Sequence, residues 1–169
     1  MHNLPHVVET DFYGQPKNVA VVEPFVLDAM ARKKLVQLEQ AVGRLPQFEC
    51  PLKHYFADGL YVREIFIPAG VVLVGYIHMQ DCVTTVSQGC IAINDGSGPP
   101  KLVQAPFTKA VPKGSKKAGY ALTDTIWCDA YVNPDNERDI ARLEARLTAN
   151  SHEEFLARSA EVTLLGVKP

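Results

Sequence analysis

Residues 60–94 read LYVREIFIPAGVVLVGYIHMQDCVTTVSQGCIAIN, and this stretch decides the fold. Short runs rich in β-branched and aromatic residues are separated here by turn signals such as Pro68-Ala69-Gly70 and Gln88-Gly89. Short strands at this spacing predict a mainly β sandwich or barrel and not a parallel α/β sheet. With their continuation downstream, the predicted strands are Leu60–Ile67, Val71–His78, Val83–Ser87, Cys90–Asn94, Leu102–Ala105, Ala118–Leu122 and Thr125–Val132.

An amphipathic helix is predicted upstream of the barrel. Apolar residues recur there at steps of three and four over residues 27–45, with polar residues between them. Pro24 suits a first helical turn, and Gly43 and Pro46 end the pattern. A polar lead-in with a short apolar run, Val19–Val22, precedes it.

The chain after the barrel is helical again. Ile140, Leu143 and Leu147 form an apolar stripe, and Ser151-His152-Glu153-Glu154 is typical of a capping box that opens a last short helix. The predicted parts of this one domain are a lead-in with the amphipathic helix over residues 1–58, a β-barrel over 59–133 and a helical tail over 134–169.

Composition limits the classes of function. The 169 residues suit one domain, and the formal net charge of −2 lacks the basic excess expected of a protein that binds long nucleic acids. No apolar stretch approaches the roughly 20 residues that span a bilayer, and the first residues lack the features of a signal peptide. The four cysteines are widely spaced without a C-x-x-C pair, which favours reduced thiols in a cytoplasm.

Two short motifs resemble those of the cupin superfamily. In the first cupin motif a glycine leads to H-x-H, then a glutamate, then a second glycine. The same spacing is present here in Gly70, Tyr76, His78, Cys82 and Gly89. Residues 112–117 have the P-x-G-x-x-H spacing of the second motif, with lysine at the last position. The resemblance implies a single jelly-roll barrel with flanking N- and C-terminal helices.

A second resemblance covers most of the chain beyond residue 30. Several segments are similar to segments of small cupin-like proteins of tailed bacteriophages. They are Val62–Gly70, Gly114–Gly119, Asp124–Trp127 and the leading helix with the residues Pro46–Glu49 that follow it. This group implies the fold and no particular activity. It also implies self-association, since dimers are frequent for this fold, and a host cytoplasm if the chain is phage-encoded.

The motif positions argue against the metal site that the family usually holds. They read Tyr76, His78, Cys82 and Lys117. A lysine ammonium has no lone pair and repels a cation, and tyrosine or cysteine binds a metal only as an anion. We therefore predict no metal and no other cofactor. The alternative is a rebuilt metal site that uses His78 and Cys82, with Asp81 as a third candidate.

The same positions predict a ligand pocket inside the barrel. Period-two alternation sends Tyr76 and His78 to one face, and the pleat of the next strand turns Cys82, Thr84 and Val86 inward. Lysine ammonium groups bind phosphate or carboxylate groups, so Lys117 implies an anionic ligand. The alternative for the neighbouring lysines is that they are solvated side chains on a turn. The predicted ligand-binding residues are Arg63, Tyr76, His78, Thr84, Lys117, Trp127 and Tyr131.

Three functions remain open at this point. The leading hypothesis is a non-enzymatic protein that binds a small anionic molecule, such as a nucleotide or phosphorylated metabolite. For a phage protein of this kind, one role is to sequester a host signalling nucleotide. The second is a metal-independent enzyme related to sugar-nucleotide epimerases and isomerases, with His78 as base and Tyr76 as acid. The third is a structural or assembly protein. The sequence favours binding over catalysis, with self-association and no membrane partner.

Overall fold

The computed structural model describes residues 29–164. The predicted apolar run Val19–Val22, Pro24 and the start of the helical pattern at Leu27 lie outside the described residues. The described helices are α1 (Ala29–Val42), α2 (Ile140–Leu147) and α3 (His152–Leu164). The strands are β1 (Leu52–Ala57), β2 (Gly59–Ile67), β3 (Val72–Val74), β4 (Ile77–His78), β5 (Cys82–Gln88), β6 (Cys90–Asn94), β7 (Lys101–Gln104), β8 (Phe107–Val111), β9 (Ala118–Ala121), β10 (Thr125–Asn133) and β11 (Thr148–Ala149).

Two antiparallel sheets form the body of the domain. The five-stranded sheet has the order β1-β2-β10-β5-β8, and the four-stranded sheet has the order β3-β9-β6-β7. The chain crosses from one sheet to the other between β2 and β3, between β5 and β6 and at each step from β7 to β10. Late strands pair with early ones, as in a jelly roll built from two Greek keys. The prediction of a mainly β jelly-roll domain with flanking helices is confirmed.

The inward face of the five-stranded sheet follows from the alternation of each strand. On β10, Thr125, Asp129 and Tyr131 are buried, and on β5 the buried residues are Cys82, Thr84 and Val86. The register places Asp129 opposite Thr84, and β2 supplies the inward residues on the other side of β10. Inward and outward residues therefore separate as the period of two predicts.

One predicted strand, Val71–His78, is two strands in the structure. Its first part, β3, pairs with β9, whereas His78 in β4 pairs with Thr148 of β11. The break falls at Gly75 and Tyr76, where the Gly75 N–H donates to the carbonyl oxygen of Lys117. The chain thus leaves one sheet and joins a small two-stranded sheet, so alternation cannot be carried across this point.

Two strands of the barrel escaped the sequence prediction. β1 begins at Leu52 and pairs with β2, so strand structure begins before the predicted boundary at residue 59. β8 pairs with β5 at the edge of the same sheet. Both strands lie at sheet edges and carry exposed residues, including Lys53 and Lys109, which weakens the apolar signal by which strands are recognised.

The helix α1 is fixed to the four-stranded sheet. Its buried residues Ala31 and Leu35 pack against Ala118 and Val74. Across the same contact, the buried Lys116 ammonium lies 2.9 Å from the Glu39 carboxylate. Lys116 therefore forms an ion pair on the outer side of the barrel, and its role differs from that of the next residue, Lys117. No helix within residues 29–164 is long and apolar enough to cross a membrane.

Both C-terminal helices are capped, and the cap of the last one was predicted from the sequence. The Asp139 side chain accepts a hydrogen bond from the backbone N–H of Arg142 at the start of α2. The Ser151 hydroxyl accepts from the backbone N–H of Glu154 at 3.1 Å, which is the predicted cap of the last helix. The buried residues Leu143 and Leu147 of α2 then pack against the barrel core.

Candidate functional site

A cavity of about 450 Å³ lies between the two sheets. Most of its wall is apolar, and a few polar and charged side chains point to the same space, which is the usual make-up of a small-molecule site. The residues that line it are Phe48, Cys50, Leu52, Arg63, Ile65, Ile67, Leu73, Val74, Gly75, Tyr76, His78, Ile91, Ile93, Lys117, Ala118, Gly119, Trp127, Asp129, Glu144 and Thr148.

Backbone hydrogen bonds bring His78 and Lys117 to the same cavity. The His78 N–H donates to the carbonyl oxygen of Ser115 at 3.0 Å, and the His78 carbonyl oxygen accepts from Gly114 at 2.8 Å. The Gly75 N–H donates to Lys117 at 2.9 Å. The turn that contains Gly114 and Ser115 is thus joined to the segment around β4, which explains why residues nearly forty positions apart line one space.

Lys117 reaches across the cavity to the opposite sheet. Its Nζ lies 5.5 Å from the ring centroid of Trp127, within the range of a cation–π interaction. Within residues 29–164 no carboxylate oxygen lies within 4.0 Å of this ammonium. Burial lowers the pKa of Lys117, an effect that the nearby Asp129 carboxylate opposes. The cavity therefore contains a cation whose charge is only partly compensated.

Asp129 organises the floor of the cavity. Its Oδ1 accepts hydrogen bonds from the Thr84 hydroxyl at 2.5 Å and from the Trp127 indole N–H at 3.0 Å. Its Oδ2 lies 3.9 Å from the Arg63 guanidinium. The carboxylate thus fixes the ring on which Lys117 lies and holds the second cation of the cavity.

The imidazole of His78 is oriented by two buried groups. Its Nδ1 lies 3.0 Å from the Tyr131 hydroxyl and 3.5 Å from Cys82 Sγ. Burial is the largest influence on this ring, and with the cations Lys117 and Arg63 it lowers the pKa of His78 to about 4. The imidazole is therefore neutral at pH 7.

Five of the seven predicted site residues line the cavity. They are Arg63, Tyr76, His78, Lys117 and Trp127. Tyr76 lies at the opening, where 54% of its surface is exposed, because the break between β3 and β4 turns it away from the interior. Whether these residues bind a ligand remains a prediction.

Thr84 and Tyr131 are buried behind the cavity wall and are not among its lining residues. The expectation that they contact a ligand directly therefore does not match their positions. Thr84 supports Asp129 and Tyr131 supports His78, so both act on the cavity through a neighbour. Alternation predicted that Thr84 points inward, but it could not separate the lining of the cavity from the layer behind it.

Sequence reasoning missed two acidic residues of the cavity, Asp129 and Glu144. Asp129 alternates with Trp127 and Tyr131 on the same strand, so the period of two was a sufficient signal for it. Glu144 comes from α2, and nothing in the sequence indicates that this helix borders the cavity.

The residues at the motif positions do not fit a resident transition metal. Burial raises the pKa of Cys82 to about 12, so it is a thiol, and its sulfur is turned to His78 Nδ1. Asp81 is exposed and accepts a hydrogen bond from the backbone N–H of Lys113. Lys117 adds a positive charge to the cavity. Within the part of the chain that the structure describes, no group of three or more His, Cys, Asp or Glu residues is placed to hold a metal ion.

Comparisons with known proteins found similar solved structures only. No protein-family model and no curated protein matches the chain. Among solved structures, KdgF from a Halomonas species is 17% identical, with 57% of this chain and 88% of that one covered and a TM-score of 0.45. An RmlC-like cupin family protein with a double-stranded β-helix fold, from Methanocaldococcus jannaschii, is 11% identical over 54% and 93%, with a TM-score of 0.43.

A cupin superfamily protein from Desulfitobacterium hafniense is 10% identical, with 54% of this chain and 85% of that one covered and a TM-score of 0.41. These likenesses concern the fold alone. On the order of its own strands, the chain is a single, mainly β jelly-roll domain.

Proposed function

We propose that the chain is a non-enzymatic protein that binds a small anionic molecule, such as a nucleotide or a phosphorylated metabolite, in the cavity between its sheets. The observation that carries this proposal is the Lys117 ammonium, which lies over the Trp127 ring in a largely apolar cavity without a carboxylate within 4.0 Å among the described residues. An anionic ligand supplies the missing partner, and for a phage-encoded chain the corresponding role is sequestration of a host signalling nucleotide.

The surroundings of Lys117 support an anion over a neutral ligand. Arg63 lines the same cavity, and its distance of 3.9 Å from Asp129 leaves guanidinium donors for another group. Apolar side chains such as Ile65, Ile91 and Trp127 line the cavity. An apolar wall lowers the local dielectric constant, which strengthens a charge-assisted hydrogen bond. A volume of about 450 Å³ lies within the range of small-molecule sites.

The enzymatic alternative finds less support in the geometry. Its acid, Tyr76, is exposed at the opening of the cavity, and within the described chain no hydrogen bond joins it to His78. The hydroxyl that does contact His78 belongs to Tyr131, and burial raises the pKa of that phenol. A base whose pKa is about 4 and an acid of raised pKa are poorly matched to proton transfer at neutral pH.

Calorimetry with matched ligands tests the proposal. Adenosine 5′-monophosphate and glucose 6-phosphate are compared with adenosine and glucose, which share their bodies but lack the charge. We expect at least one phosphorylated member to bind, its neutral counterpart to bind at least tenfold more weakly, and Lys117→Met to lower the affinity for the anion about tenfold or more.

Two controls separate recognition from folding. Lys101 is exposed on β7 outside the cavity lining, so Lys101→Met should leave the affinity unchanged. Lys117→Met should keep or raise the thermal midpoint, because burying an ammonium without an ion pair opposes folding. Failure of every anion to bind the wild type, or equal binding by wild type and Lys117→Met, would overturn the proposal.

A further inference from the structure

The hydrogen count around His78 Nδ1 determines which ring nitrogen carries the proton. The hydroxyl of Tyr131 is buried, and Nδ1 of His78, at 3.0 Å, is the nitrogen or oxygen acceptor that the described structure offers it. The thiol of Cys82 approaches the same nitrogen at 3.5 Å. If Nδ1 carried a hydrogen, the buried Tyr131 hydroxyl would be left with only the weak sulfur acceptor of Cys82, whereas the thiol could still donate to the Thr84 hydroxyl.

A neutral imidazole that accepts at Nδ1 carries its hydrogen on Nε2. Both partners of Nδ1, Tyr131 and Cys82, lie behind the cavity wall and are absent from its lining, whereas His78 itself lines the cavity. The ring edge that remains for the cavity is therefore the one that contains Nε2. Within residues 29–164 no hydrogen bond occupies this nitrogen.

We infer that His78 presents a fixed, uncharged Nε2–H donor to the cavity, that Tyr131 is the positioning residue that holds it, and that the ligand combines an anionic group with a neutral oxygen acceptor such as a hydroxyl or carbonyl oxygen. This inference rests on the proposed function for the anionic part of the ligand. The neutral donor discriminates by hydrogen bonding alone, whereas Lys117 and Arg63 provide charge. A ligand whose oxygens all bind Lys117 and Arg63 leaves the His78 donor without an acceptor among those oxygens and the described residues.

The same tautomer bears on the choice between binding and catalysis. A general base needs a lone pair directed at the substrate, and here the lone pair of His78 is directed at Tyr131. A fixed Nε2–H donor fits recognition of a ligand oxygen.

Nitrogen-15 NMR of the 169-residue chain at pH 7 tests the donor without any ligand. Long-range proton–nitrogen correlations distinguish the two neutral tautomers from the imidazolium, and loss of one pattern in His78→Gln assigns it among the five histidines. We expect the Nε2–H tautomer in the wild type. A dominant Nδ1–H tautomer or a protonated ring would overturn the inference.

A matched pair of hydroxyl deletions tests the role of Tyr131. Tyr131→Phe removes the hydroxyl at His78, and Tyr61→Phe removes the one that lies 2.8 Å from His54 Nδ1. We expect Tyr131→Phe to populate both tautomers of His78 and Tyr61→Phe to leave His78 unchanged. An unchanged His78 in Tyr131→Phe would refute the positioning role. If Tyr131→Phe does not fold, the wild-type spectrum still decides the tautomer.

Titration calorimetry then distinguishes this inference from the proposed function. Inorganic phosphate offers charge alone, and glycerol 3-phosphate adds hydroxyl acceptors. We expect His78→Phe to weaken glycerol 3-phosphate about tenfold while inorganic phosphate changes less than twofold, and Lys117→Met to weaken both. Equal effects of His78→Phe on the two probes would overturn the acceptor claim and leave the anion site standing. Binding of neither probe to the wild type would overturn the anion site, and the NMR result would still decide the donor.

Discussion

Gly89→Ala is expected to lower the free energy of unfolding by about 3 kcal/mol or more, whereas Gly70→Ala should cost about 1–2 kcal/mol. Both glycines have a left-handed backbone, with φ of +86° and +83°. A methyl group at Gly89 would overlap the backbone oxygen of Asp124 and come within 2.7 Å of Thr125 Oγ1, whereas at Gly70 nothing lies within 4 Å. The left-handed φ that both glycines share destabilises both variants, and the steric overlap at Gly89 accounts for the larger loss of stability there.

Urea denaturation followed by circular dichroism measures both variants against the wild type. Gly70→Ala is the matched control, because it carries the same backbone penalty without the steric overlap. Equal losses in the two variants would show that the backbone around Gly89 moves aside at no cost. A larger loss at Gly70 would contradict the steric argument directly.

The two glycines also show how far the sequence carries the fold. Their spacing predicted a pair of turns around the strands between them, and both turns are present. The difference between the two positions was not predictable, because the atoms that crowd Gly89 belong to Asp124 and Thr125, more than thirty residues downstream. Local pattern specifies a turn, and only the closed jelly roll specifies what packs against it.

The strand prediction failed for the same physical reason. Val71–His78 is a continuous β-rich run in sequence, but hydrogen bonds from Gly75 to Lys117 and from His78 to Ser115 divide it between two sheets. Those partners come from a distant turn. Period-two reasoning placed His78 in the interior, and it failed for Tyr76, which lies at the break.

The candidate site was predictable where a side chain occupies a motif position. Lys117 and His78 were identified from the resemblance to the two cupin motifs, and both line the cavity. Glu144 was not predictable, because α2 reaches the cavity through tertiary packing of Leu143 and Leu147 against the barrel core. The number of acidic residues that line the cavity could therefore be determined only from the structure.

Between pH 7 and pH 4 the wild type is expected to lose about 3 kcal/mol of stability more than His78→Gln. Burial, with Lys117 and Arg63 nearby, lowers the pKa of His78 from 6.5 to about 4, and the carboxylate of Asp129 only partly opposes this. Between pH 6.5 and pH 4, His78 is therefore protonated in the unfolded chain and neutral in the folded chain. The stabilisation is complete above pH 6.5 and disappears as the pH falls towards 4, so acid should destabilise the wild type first.

Urea denaturation of both proteins at half-unit pH intervals isolates this contribution. The carboxylates and the remaining histidines titrate in both proteins, so their effects cancel in the difference between the two curves. Glu144 lines the same cavity and is present in both. We expect the difference to be constant above pH 6.5 and to narrow steadily below it. Parallel curves down to pH 4 would mean that the folded protein protonates His78 as readily as the unfolded chain does, and that burial does not keep this imidazole neutral below pH 6.5.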